Sequence, residues 1–251
     1  MKRILFLLVL FSLTGYTAIA QHNDGWVSLF DGKTLNGWKQ MTGKASYTAA
    51  NGMITGTSVY DGANSFLATE KKYGDFILEM EFMIEDTGSN SGVQLRSHYD
   101  PQGNKGNGRV YGYQYEMDPS SRKWTGGIYD EARREWLYPL TLNPAAMPVY
   151  KHGVFNKMRV ECIGNTIKTW INDIPAAYLC DTVDKKGFIA LQVHGTNNPA
   201  MAGKKVYWKN IRMRTAGLKP TPFPAGIYVV NTIPNQLTAY EKNNGWKLLF
   251  D

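Results

Sequence analysis

Three short stretches of the chain set amides, carboxylates, a guanidinium and imidazoles at alternate positions. They are Gln94, Arg96 and His98; Gln114, Glu116 and Asp118; and Gln192 and His194. Alternate residues of a β-strand share a face. Each stretch would therefore show its polar set on one side. Val93 and Leu95, Tyr113, Tyr115 and Met117, and Leu191 and Val193 would fall on the other, as core. A solvated strand face carries Lys, Thr, Ser and Glu in no order. Amides interleaved with carboxylates and imidazoles can donate to and accept from many hydroxyls at once, which points to a neutral polyol, and first to a sugar.

The elements that must hold these residues read as strands throughout. Alternating segments recur at 46–49, 53–57, 66–69, 76–84, 92–98, 111–117, 157–163, 166–171, 188–194 and 205–214. Phe76, Leu78, Met80 and Phe82 would point inward from one of them and Glu79 and Glu81 outward to solvent. Twenty-five glycines with many Asn and Asp punctuate the chain, and no segment keeps a helical period beyond two turns. Many short strands with turn signals between them predict an all-β fold, a two-sheet jelly-roll sandwich. The stretches 99–112 and 119–150 would form the rim of its binding face.

Lys2 and Arg3 precede an apolar run from Ile4 to Leu13, and Ala18-Ile19-Ala20 supplies small residues before Gln21. Residues 1–20 thus read as a cleavable signal peptide, too short in its apolar part to span a bilayer, and the mature chain is expected to be periplasmic or secreted. No membrane partner is expected. The formal charge of +7, or +5 without Lys2 and Arg3, is scattered rather than striped with aromatics, which argues against nucleic acid. Cys162 and Cys180 fall on the outer strands of a predicted three-strand meander with turns at Gly164-Asn165 and Asn172-Asp173. Two strand spacings put them roughly 10 Å apart, beyond disulfide reach, so two free buried thiols are expected. Finally, Gly245-Trp246-Lys247-Leu248-Leu249-Phe250-Asp251 repeats Gly25-Trp26-Val27-Ser28-Leu29-Phe30-Asp31 at five of seven positions. The expected organisation is a signal peptide (1–20), a domain (21–216), a linker (217–244) and the start of a second copy of the domain (245–251), with that copy as a partner in the full-length protein.

Taken in order, Phe30-Asp31-Gly32-Lys33 with Leu35-Asn36-Gly37-Trp38, Asn90-Ser91-Gly92-Val93, Gly112-Tyr113-Gln114, Gly126-Gly127-Ile128-Tyr129, Trp170-Ile171-Asn172, Gly187-Phe188-Ile189-Ala190-Leu191-Gln192-Val193-His194-Gly195 and Asn210-Ile211 resemble the 3-keto-disaccharide hydrolase family. Its members are secreted domains with the fold of concanavalin A-like lectins and glucanases, and the resemblance runs from about Gly25 to Met213. It implies a particular way to cut a glycosidic bond. A ketone at carbon 3 acidifies the carbon-2 proton, a base removes it, the group on carbon 1 leaves, and water adds back.

That chemistry needs a base, a cation or donor for the enolate, and an acid for the leaving oxygen. His194 is the expected base or acid, because imidazole titrates near neutrality. Glu116 is its expected acid–base partner, and Arg96 the holder of the enolate oxygen. Gln94, Gln114, Asp118 and Gln192 are expected to bind hydroxyls, and Tyr129 and Trp136 to stack on the sugar ring. Two other readings remain open on the residues themselves: a non-catalytic carbohydrate-binding module, and an ordinary retaining glycosidase that uses Glu116 and Asp118. No cofactor is expected, although Glu116, Asp118 and His194 are ligand types for a divalent metal.

Overall fold

The computed structural model describes residues 25–60 and 62–233. Within them, sixteen strands form two sheets. In chain order they are β1 (Trp26–Ser28), β2 (Trp38–Thr42), β3 (Ser46–Ala50), β4 (Met53–Thr57), β5 (Ser65–Thr69), β6 (Phe76–Ile84), β7 (Ser91–Asp100) and β8 (Arg109–Met117), then β9 (Ile128–Glu131), β10 (Glu135–Tyr138), β11 (Asn156–Ile163), β12 (Thr166–Ile171), β13 (Ile174–Cys180), β14 (Phe188–Val193), β15 (Lys205–Arg214) and β16 (Val230–Asn231). The larger sheet runs β16-β13-β12-β11-β6-β15-β4-β3, with β1 also paired to β15; the smaller runs β10-β9-β8-β7-β14-β5-β2. All pairings are antiparallel except β13 with β16. This is the two-sheet jelly-roll sandwich that the alternation predicts.

Local sequence explains the strands. In β6, Phe76, Leu78, Met80, Phe82 and Ile84 are buried while Glu79 and Glu81 stay half-exposed, because side chains of period two meet one apolar and one wet face. Asn172 and Asp173 both take positive φ (48° and 67°), and turn β12 directly into β13 as Asn and Asp do best among residues with a Cβ. Cys162 and Cys180 are both buried, on β11 and β13 with β12 between them. Burial pushes the Cys162 thiol up to about 12.

Between the sheets, Trp208, Tyr113, Tyr115, Phe82, Leu95 and Ile54 are among the largest fully buried side chains. The stretch expected to be all rim, 119–150, contributes β9 and the edge strand β10 to the smaller sheet. Residues 219–233, expected as linker, lie across the larger sheet. Phe223 packs edge-on against Trp170 and Tyr178, each with centroids 5.4 Å apart. Thr221 N–H donates to Glu161 (2.9 Å), and the Lys168 ammonium donates to the Thr221 carbonyl (2.7 Å). The signal peptide and the second heptapeptide copy lie outside the described residues.

Phe223 is 9% exposed, so Phe223→Ala should cost about 2–4 kcal/mol, read as a lower denaturant midpoint with unchanged m-value. A chain ended at Ala216 should lose more, because it also uncovers Lys168 and the rings beneath the strap. Equal stability of the shortened chain would show that the strap is only draped on the sheet.

Candidate active site

The face of the smaller sheet turned away from the core carries a row of residues fixed by register. Ala190 of β14 pairs with Gln94 of β7, Gln94 with Gln114 of β8, and Gln114 with Tyr129 of β9. Two residues along β8, Glu116 stands opposite Gly92. The missing side chain at Gly92 is needed there. A Cβ would come within 2.3 Å of the Gln114 side-chain carbonyl carbon, so Gln114 can lie over Gly92 only because it is glycine.

The space lets a hydrogen-bonded chain form. Ser97 Oγ donates to Gln94 Oε1 (2.6 Å), Gln94 Nε2 to Gln114 Oε1 (2.7 Å), and Gln114 Nε2 to Glu116 Oε2 (2.9 Å). All four residues are buried. Each amide can satisfy its neighbour in only one orientation, so the chain delivers a polarised N–H to one oxygen of Glu116.

Above this chain lies a hollow of 260 Å³, lined by Gln114, Glu116 and Gln192 on the sheet, Tyr129, Glu131 and Trp136 at its β9–β10 side, and Asn64, Asn90, Arg122 and His194 from loops. Two acceptors on its wall have no partner among the described residues: Gln192 Oε1 and Asn90 Oδ1. Gln192 is only 1% exposed, and a buried acceptor left unpaired costs about 1–3 kcal/mol; a ligand hydroxyl would remove that cost. The rings are already set. Trp136 packs edge-on to Tyr129 (5.2 Å) and to Trp124 (4.6 Å).

His194 follows β14 and is exposed at the mouth of the hollow. Its Nδ1 lies 2.6 Å from the Gly195 carbonyl. A carbonyl only accepts, so Nδ1 carries the hydrogen and Nε2 is the nitrogen open to a ligand. The turn after it is tied down by Asn64, whose Oδ1 accepts from Gly195 N–H (2.9 Å) while its Nδ2 donates to Glu131 (3.1 Å).

Six of the expected site residues thus meet: Gln114, Glu116, Tyr129, Trp136, Gln192 and His194. Gln94 lies beneath them as a link in the amide chain. Asp118 does not reach out to bind hydroxyls. It is 1% exposed, and its two oxygens accept from Ser120 N–H (3.1 Å) and Arg122 Nε (2.7 Å). It is therefore presented neither as a nucleophile paired with Glu116 nor as a ligand in a set with Glu116 and His194.

Arg96 is the main correction. The expected alternation breaks there, with φ at 49° and a register shift between Leu95 and His98. The bulge turns Arg96 out of the face it would share with Gln94. Its guanidinium is spent on the carbonyls of Gly74 (2.8 Å), Gly164 (3.0 Å) and Asp184 (3.4 Å) and the carboxylate of Asp75 (2.9 Å). His98, past the same bulge, stacks on Tyr111 and pairs with Asp184 (2.8 Å). The arginine that lines the hollow is instead Arg122, which has no strand period to reveal it. Glu131, Asn64 and Asn90 were equally hidden, in a charge run and two loops. A larger hollow of 650 Å³ lies outside the larger sheet, beside Glu79, Arg159 and Arg212. There Glu79 bridges both arginines.

The electrostatics single out Glu116. Burial pushes its carboxyl up to about 8, with Asp118 and Glu131 repelling the anion and the Gln114 amide and Arg122 favouring it. Glu131 is raised too, again chiefly by burial. A raised carboxyl binds more protons in the folded state than unfolded, so its contribution to stability is full below about 4.5 and is lost as pH climbs through about 8. The wild-type Tm should therefore fall between pH 5 and pH 9 by more than that of Glu116→Gln, with the variant the more stable at pH 9. Parallel Tm curves would show that Glu116 ionises without penalty. Gly92→Ala should fold yet lose ligand affinity at least tenfold by displacing Gln114, checked by calorimetric titration.

The fold is a two-sheet β-sandwich with a polar, ring-lined hollow on the smaller sheet. Residues 25–214 match the model of the 3-keto-alpha-glucoside-1,2-lyase-like domain, and the chain belongs to that family. A 3-keto-disaccharide hydrolase of Bacteroides thetaiotaomicron is 37% identical over 79 residues, 28% of this chain and 27% of the relative, so the match spans about a quarter of that relative's length. Among solved structures, a candidate glycosyl hydrolase from Parabacteroides distasonis aligns with a TM-score of 0.54 at 19% identity, over 76% of this chain and 94% of the other. A galectin-like protein from Bacillus subtilis aligns at 0.52 with 12% identity, over 71% and 89%. Both likenesses concern the fold.

Proposed function

We propose that this hollow cleaves glycosides whose sugar ring carries a ketone at carbon 3. Glu116, as carboxylate, takes the proton from carbon 2, and the electrons of that C–H bond flow into the C2–C3 bond to leave an enolate oxygen at carbon 3. When the ketone re-forms, those electrons make a C1–C2 double bond and expel the oxygen on carbon 1. The leaving oxygen takes back the proton that Glu116 has just removed, while Nε2 of His194, which carries no hydrogen, accepts a proton from the water that adds and passes it to carbon 2. Water then adds to carbon 1 as carbon 2 regains its proton, so the sum is hydrolysis.

The observation that carries this reading is a hollow whose two carboxyls, Glu116 and Glu131, are both raised by burial, with Glu116 poised near neutrality. An ordinary glycosidase needs one ionised and one protonated carboxyl flanking the bond. Here Asp118 is locked to Arg122 and Ser120, and burial holds both Glu116 and Glu131 toward their protonated forms. A single base of raised pKa suits abstraction of a weakly acidic C–H proton. The rings of Tyr129 and Trp136 and the unpaired acceptors of Gln192 and Asn90 suit a hydroxylated ring. The family's description and the Bacteroides relative's name support the same chemistry. The basic and apolar start of the chain supports action outside the cytoplasm.

The test is to incubate the protein with 3-keto-trehalose and with unoxidised trehalose. Only the keto-sugar should be cleaved, and in heavy water its carbon-2 proton should exchange. Activity should rise with pH through about 8, as the base ionises. Glu116→Gln should lower kcat by about 10²–10⁴-fold. Cleavage of both sugars at similar rates would overturn the reading in favour of ordinary glycosidase chemistry; tight binding with no turnover of any keto-glycoside would leave a binding module.

A further inference from the structure

Arg122 stands in the loop between β8 and β9 and is held on three sides. Its Nε donates to Asp118 Oδ2 at 2.7 Å. Its guanidinium carbon lies 4.9 Å from the centre of the Trp124 ring and 5.0 Å from that of Trp136. Asp118 in turn is immobile: 1% exposed, with Thr125 Oγ1 accepting from its N–H (2.9 Å) and donating to its carbonyl (2.9 Å). An exposed arginine normally gives up rotamer freedom when it binds something. This one has already lost it, to a carboxylate and two indoles.

What remains free is the other edge. Among the described residues Nη1 and Nη2 have no hydrogen-bond partner, while the side chain is 41% exposed and lines the same hollow as Glu116 and His194. A guanidinium gripped by Nε and by its faces, with its Nη edge open beside a base, is arranged as a donor to an anionic oxygen. Such donors are effective because they are oriented before charge develops.

We propose that Arg122 is a catalytic residue whose Nη edge binds the carbon-3 oxygen as it turns from ketone to enolate, and that Asp118 is the positioning residue that aims it. This rests on the reading of the hollow as a keto-glycoside site. It gives the cation's role to a loop residue and makes the 118–125 loop part of the reaction centre.

The experiment uses the full chain and a 3-keto-glucoside. Arg122→Ala should lower kcat by about 10²–10³-fold with a much smaller change in KM, and should slow carbon-2 proton exchange in heavy water equally. Added guanidinium at millimolar concentration should restore part of the rate. Arg122→Lys keeps the charge without the fork and should stay well below wild type. Asp118→Asn, which leaves Arg122 in place but loosened, should lower kcat less than Arg122→Ala does. Removing the cation should also move the activity limb of Glu116 to higher pH, because Arg122 favours its anion; the loss in kcat rather than KM and the rescue by guanidinium are what a merely structural arginine would not give. Unchanged kcat with a raised KM in Arg122→Ala, or no rescue and an unmoved limb, would overturn the proposal while leaving the keto-glycoside reading intact. A wild-type protein that exchanges no carbon-2 proton on any keto-glycoside would instead overturn that reading, and this proposal with it.

Discussion

Arg96 buries its guanidinium where β7 breaks step, and four oxygens from three other parts of the chain converge on it. A buried cation without partners would cost several kcal/mol, so the loops at 74–75, 164 and 184 are drawn to where the bulge places it. Gly164 belongs to the β11–β12 turn of the larger sheet, so this one side chain ties the two sheets together. Gly187 must be glycine for the same reason: a Cβ there would sit 2.1 Å from the Arg96 carbonyl carbon. On one side of the bulge β7 supplies Gln94 to the site, and on the other it turns His98 toward Asp184.

A second buried charge cluster fixes the far edge. Asp130 is fully buried and accepts from Arg133 (2.9 Å) and from Arg134, which also reach Asp184 and Asp181 respectively. Alternation on β9 then leaves Tyr129 and Glu131 facing the opposite way, toward the hollow. The run Asp130-Glu131 with Arg133 and Arg134 thus divides its labour, with its structural half inward and Glu131 at the site. Ionised partners surround the structural carboxylates, whereas Glu116 receives one amide and lies near one arginine.

Much of the sheet structure was legible. The segments 53–57, 76–84, 166–171 and 205–214 coincide with β4, β6, β12 and β15, because long alternation between one dry and one wet face leaves little choice of structure. β9, β10 and β16 were not, being strands of two to four residues at or next to a sheet edge, whose pairing is decided by their neighbours. The faces bearing Gln114, Glu116 and Gln192 followed from period two alone. Arg96 escaped because a bulge at a residue with a side chain leaves no local signature; only Gly112 across the ladder, at φ 134°, hints at it. Arg122 escaped because its place depends on Asp118 four residues earlier and on two tryptophans, contacts that exist only once the loop has closed.

The chain of amides under the hollow has a polarity. Gln94 and Gln114 can each be oriented two ways in isolation, but Ser97 donating at one end and Glu116 accepting at the other leave one arrangement for both. Ser97 is next to Arg96, inside the bulge. The bulge is therefore linked, through three hydrogen bonds, to the N–H that meets the Glu116 carboxyl. A substitution that moves Ser97 would thus reach the amide bound to Glu116 from beneath the hollow, without touching its lining.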